Sequence, residues 1–228
     1  CNPEKRLPNQ IMQQQSTLDD RAAREAILKR LRDATAGRTS KPAERPDASF
    51  VREPEGSPVE AFARNLQQVN GISRLAPDVE TLKTLIKDLI EENGWTKVFC
   101  PEPGIRELCS EAGLSGKLTE QFDHQMEAAV TGCEALVADL GSILVSSAQT
   151  GSRQVFPFAP VHIVLASASQ IMPNADDAVN HTLARYGNQI PSFISVITGP
   201  SRTADIEKTL ILGAHGPRLL YVLISEQE

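Results

Sequence analysis

The chain has 228 residues, 40% of them apolar and only 4% aromatic, with a formal net charge of −6 and a pI near 5.3. That length holds one sizeable α/β domain with an N-terminal extension, and the apolar share supports a core built mainly from Ile, Leu, Val and Ala. The acidic balance argues against a nucleic-acid binder, which needs clustered Lys and Arg. No run reaches the roughly 18 apolar residues of a membrane span, so the sequence reads as soluble and cytoplasmic.

Residues 1–15 are polar and aperiodic and read as a tail, and the start at Cys1 reads as extended or fragmentary rather than lipid-anchored. Ser16 and Asp19 form an acidic helix-start signature for a helix over 16–37, with Ile27, Leu28 and Leu31 on one face. Prolines at 42, 46, 54 and 58 make 38–58 a linker. From 59 to 228 the pattern is α/β. Helices are expected from Val59, Phe62, Leu66 and Val69 and from the stripe Val79–Ile90, closed by Asn93-Gly94. Glu92-Asn93-Gly94 resembles the glutamate motif of CoA transferases, but capping explains it fully. Short strands are expected at Ile72–Leu75 and Lys97–Cys100, then helices around Ile105–Glu111 and Phe122–Val130. Ile143–Ser146, Val161–Ala166, Phe193–Thr198 and Leu219–Ile224 are the remaining strands, and Asp176–Tyr186 is a helix. The last three strands are continuous apolar runs, as expected where both faces are covered. The fold class is α/β, a three-layer α/β/α arrangement with a mostly parallel sheet.

Three glycine-bearing polar segments lie beside these strands: Thr131-Gly-Cys-Glu134 through Ser142, Gln149–Arg153, and Gly199–Glu207. Loops at the carboxyl ends of parallel strands share one edge, so the last two are expected to converge. A candidate anion site then comprises Asp139, Gly141, Ser142, Gly151, Arg153, Gly199, Ser201, Arg202, Thr203 and Asp205. Its glycines would admit backbone N–H groups, and Arg153 and Arg202 would clamp a small carboxylate or phosphate. The same residues are ordinary turn and helix-cap chemistry, and spacing does not separate the two readings. No segment matches G-x-G-x-x-G or a Walker sequence.

Ser201, Asp205 and His215 are the residue types of a triad, yet no G-x-S-x-G elbow surrounds the serine. His162 in its apolar strand reads as a hydrogen-bonded core residue, and Cys133 as a buried, inert thiol. Four scattered histidines make no metal site, and without C-x-x-C an iron–sulfur or zinc site within this chain has no support.

The run Ile197-Thr-Gly-Pro-Ser-Arg-Thr-Ala-Asp-Ile-Glu207, followed by Leu212-Gly-Ala-His-Gly-Pro217, resembles the C-terminal signature of the LUD-domain family, lactate-utilisation protein C type. Val130–Ser142 and Arg153–Val164 resemble its central segments, and the resemblance extends from about Arg24 to the C-terminus, implying Met12 as the initiator. It implies a fold like the glucosamine-phosphate deaminase, ribose-phosphate isomerase and CoA-transferase group. It also implies a part in oxidising L-lactate to pyruvate with iron–sulfur partner proteins, the clusters lying on the partners and no cofactor in this chain. Leu140 stands where the family commonly has Thr, which removes a hydroxyl from the candidate site. Two alternatives stay open: a stand-alone enzyme acting on a phosphorylated or CoA-linked metabolite, and a non-catalytic interaction protein.

Overall fold

Pro8 opens the first helix, α1 (Pro8–Thr35). Proline suits that position because its missing N–H would have no intrahelical partner, and the Gln-rich stretch after it consists of good helix formers. The helix therefore begins within the expected tail and runs through Ser16 rather than starting there. The computed structural model describes residues 8–36, 56–150, 153–204, 210–212 and 216–227. The chain separates into two units, residues 1–48 and 49–228; the linker expected over 38–58 lies outside the described residues up to position 55.

The second unit opens with α2 (Pro58–Gln68), started by a capping box in which the Ser57 hydroxyl accepts the Glu60 N–H and the Glu60 carboxylate accepts the Ser57 N–H. There follow β1 (Ile72–Ala76), α3 (Val79–Glu92), β2 (Val98–Phe99), α4 (Pro103–Glu111), β3 (Leu118–Thr119) and β4 (Ala128–Thr131). Asn93 caps α3 and Gly94 takes the left-handed turn (φ 68°) that releases the chain into β2. Beyond β4 come β5 (Ala135–Val137), β6 (Ser142–Ser146), the single turns α5 (Ser147–Thr150) and α6 (Val155–Phe158), and β7 (Val161–Ser167). The chain closes with β8 (Ile171–Met172), α7 (Ala175–Tyr186), β9 (Ile194–Ile197), β10 (Arg202–Ala204), β11 (Leu210–Leu212) and β12 (Leu219–Ser225).

Six strands form a sheet in the order β1-β12-β7-β4-β2-β3, every pair parallel, as the fold class required. Side chains alternate across it. Val161, Ile163 and Leu165 of β7 pack with Leu82, Ile86, Leu89 and Ile90 of α3 and Cys109 of α4. Val164 and Ala166 point the other way, with Ala129, Leu220, Val222 and Ile224, into a second core completed by Phe62 and Leu66 of α2. Fully burying a side chain of that size is worth about 1.5–3 kcal/mol. That second face also carries a four-stranded mixed sheet, β8-β5-β6-β9. Helix α7 covers it, with Ala178 against Ala135, Val137 and Leu144.

Three expectations change. Residues 122–130 are not a helix: Asp123 turns the chain by accepting the Gln125 N–H, and Ala128–Thr131 is inserted, wholly buried, between β2 and β7. Insertion between two parallel strands outweighs the local helix propensity of Met, Glu and Ala. Ile194–Ile197 is an edge strand of the second sheet, antiparallel to β6, with Val196 exposed rather than covered on both faces. The described residues after Gly199 include a strand where a helix cap was expected: Arg202–Ala204 pairs antiparallel with Leu210–Leu212.

Candidate functional site

The carboxyl ends of β2, β4 and β7 open onto a cleft of about 570 Å³, lined by Glu102, Gly132, Cys133, Gln149, Arg185 and Tyr186 among others. This is the edge at which open parallel sheets bind ligands. Each wall has a local cause. Glu102 is the N-cap position of α4, placed by the turn that Pro103 ends. Gly132 and Cys133 are the turn between β4 and β5, and an added Cβ on residue 132 would sit 3.0 Å from the Glu102 carboxylate. A glycine there lets that carboxylate close on the backbone, where it accepts the Gly132 N–H at 2.6 Å.

Glu102 on the cleft wall and Glu134, which bonds the lining residues Arg185 and Tyr186, are held differently. Glu134 is buried and accepts the Ser146 and Tyr186 hydroxyls on one oxygen, the latter at 2.8 Å, and the Arg185 guanidinium at 3.4 Å on the other. Glu102 accepts the Gly132 N–H; burial pushes its carboxyl above the usual range, the N–H works against that, and the Glu134 charge adds to it. Burial, reinforced by both glutamates, pushes the Cys133 thiol up, so it remains a protonated and weakly reactive thiol.

Beneath the cleft, His162 is fully buried and its Nε2 lies 2.8 Å from the Thr131 hydroxyl, which donates to the Gly132 carbonyl at 2.9 Å. With the hydroxyl proton committed to that carbonyl, the imidazole donates from Nε2. Nδ1 carries a bare lone pair, with no partner among the described residues. Burial pushes His162 down to about 4. It is a neutral core residue that braces the Thr131–Gly132 turn.

A second cavity, of about 640 Å³, is bounded by Arg153, Ser201, Thr198, Pro217 and the rings of Phe156 and Phe193, which stack at 5.6 Å. Of the candidate anion residues it brings together Arg153 and Ser201. Asp139, Gly141 and Ser142 lie in and after the β5–β6 turn. There Asn65 of α2 donates to the Ala138 and Asp139 carbonyls, and the Ser142 hydroxyl meets that of Thr198 at 2.8 Å. Burial pushes the Asp139 carboxyl up. Gly141 and Gly199 are close-approach glycines: an added Cβ would fall 2.1 Å from the Leu66 nitrogen and 2.3 Å from the Val69 carbonyl, respectively. Arg202 and Thr203 lie in β10; Gly151, Asp205 and His215 are outside the described residues. The loops after β6 and β9 do not leave one edge side by side, because those strands are antiparallel: Ser146 is opposite Ile194 and Ile143 opposite Ile197.

Glu102, Gln170, Arg185 and Tyr186 were not legible as site residues. Glycine-bearing loops are the sequence signal for an anion site, and Glu102 lies between two prolines in a short strand-to-helix connection. Its signal was positional: an acid directly between a strand and a helix, at the carboxyl edge.

A family model described as the LUD domain matches residues 107–225, slightly more than half of the chain. A Bacillus subtilis protein named Lactate utilization protein C is 34% identical over 107 residues, 45% of this chain and 44% of that protein. A protein of the same name from Halalkalibacterium halodurans is 26% identical over 164 residues, 65% of this chain and 71% of that one. The chain spans about half the length of several of the curated relatives it matches. The crystal structure of a DUF162 family protein from Deinococcus radiodurans has a TM-score of 0.55 at 18% identity, covering 74% of this chain and 96% of that one, a likeness of fold.

Proposed function

Because the chain belongs to the LUD domain family, lactate-utilisation protein C type, we propose that it takes part in the oxidation of L-lactate to pyruvate as a subunit without a redox centre. The observation that carries this reading is the match to relatives named Lactate utilization protein C, alongside the LUD domain match over residues 107–225. Oxidising a secondary alcohol to a ketone releases two electrons and two protons. In this reading the electrons pass to iron–sulfur clusters on partner proteins in the cytoplasm, and this chain handles the small carboxylate. Pull-down with those partners, together with lactate-dependent dye reduction with and without the chain, tests it. Association and a chain-dependent rate are expected; no association and an unchanged rate would sink it.

A second reading is a stand-alone enzyme acting on a phosphorylated or CoA-linked metabolite. The polar cleft at the carboxyl edge favours it. Such ligands would then raise the thermal unfolding midpoint of the chain alone.

A further inference from the structure

The cleft at the carboxyl edge is flanked by α4 and α7 and sets the Arg185 cation on one wall and the Glu102 carboxyl on another. Arg185, from the last turn of α7, reaches Glu134 through one nitrogen at 3.4 Å while its side chain is 60% exposed. A guanidinium so placed can meet an incoming carboxylate while still neutralising Glu134. Opposite it, Glu102 accepts the Gly132 N–H through Oε1, and its Oε2 is the atom nearest to the space that a side chain on Gly132 would occupy.

We propose that this cleft binds a small 2-hydroxy- or 2-oxo-carboxylate, with Arg185 meeting the carboxylate and Glu102 donating a hydrogen bond to the oxygen on C2. The ligand class rests on the lactate reading; the site itself rests on the geometry. A charged Glu102 would repel the anion, whereas a protonated one offers it a donor, so binding requires the proton. The charged and titratable groups around Glu102 are few. Glu134 and Cys133 face it from the β4–β5 turn, Arg106 and Cys109 lie on its own helix with Cys100 behind, and Arg185 and Tyr186 come from α7. Among them Glu134 and the surrounding burial favour the protonated acid, and the Gly132 N–H opposes it. The sign follows. Below the Glu102 midpoint of the unliganded protein, affinity is independent of pH. Above that midpoint each bound anion takes up one proton, and affinity falls about tenfold per pH unit.

Calorimetric titration of the full chain with L-lactate and with pyruvate, from mildly acid to mildly alkaline pH, is the test. Binding of at least one acid in the millimolar range or tighter is expected, weakening as pH rises and taking up a proton that buffers of different ionisation enthalpy reveal. Glu102→Gln should remove the proton uptake and the pH dependence together. Gly104→Trp provides a variant independent of Glu102 chemistry. Gly104 lines the cleft on the first turn of α4 and an added Cβ there meets nothing within 4 Å, so the indole can fill the cleft without displacing the fold. That variant should lose binding with its unfolding midpoint unchanged. Binding of neither acid, binding that survives Gly104→Trp, or a pH dependence that survives Glu102→Gln would overturn the proposal. If the cleft binds as stated but dye reduction is indifferent to the chain, the site stands and the lactate reading falls. If dye reduction needs the chain but the cleft binds neither acid, the reverse holds.

Discussion

Burial decides what His162 can be. Its folded value, about 4, lies below the roughly 6.5 of an exposed imidazole, so the unfolded chain binds a proton that the folded chain refuses. Stability is therefore fully present above the unfolded value and is lost as pH falls from there toward the folded one. A difference of that size is worth about 3 kcal/mol. Denaturant unfolding followed between neutral pH and pH near 4 should show this loss. His162→Gln, which cannot titrate, should flatten the slope in that window; an unchanged slope would refute the assignment. Thr131→Val should leave the Nε2–H without its acceptor at 2.8 Å and cost about 1–3 kcal/mol. That His162 is a core residue was legible from its apolar strand. The unlike settings of Glu102 and Glu134 were not, because they arise from donors far along the chain, Ser146 and Tyr186. No local pattern around residue 134 announces them.

At the scale of elements, the glycines in the signature segments separate packing from chemistry. Gly141 adopts φ 59° and lies against the backbone of α2, where an added Cβ would overlap the Leu66 nitrogen. Gly141→Ala should therefore separate the β5–β6 turn from α2 at a cost of about 3 kcal/mol, a drop of roughly 10 °C in the unfolding midpoint. Gly104→Ala, with open space around its Cβ, should stay within about 1 kcal/mol of the parent. Equal midpoints for the two variants would show that the turn does not depend on that approach. The same elements explain what the sequence could and could not reveal. The stripe Leu82, Ile86, Leu89, Ile90 is long enough for its period to identify α3 unaided. Strands of two or three residues, such as Ile171–Met172 and Ala135–Val137, are too short for the two-residue alternation to repeat.

For the whole molecule, the parallel sheet was readable because β7 and β12 are continuous apolar runs covered on both faces. The second sheet was readable only in part: β6 and β9 were expected as strands, but β5 and β8 have only three and two residues, and the pairing of β6 with β9 is antiparallel. In the proposed reading this chain presents a carboxylate at its sheet edge while the proposed iron–sulfur partners carry the electrons. Lactate-dependent dye reduction by the iron–sulfur partner proteins, measured with the chain omitted and then added back, is the most direct measurement. The lactate-utilisation reading predicts a rate that falls to background on omission and returns in proportion to the chain restored. A rate that is the same with and without the chain would contradict it.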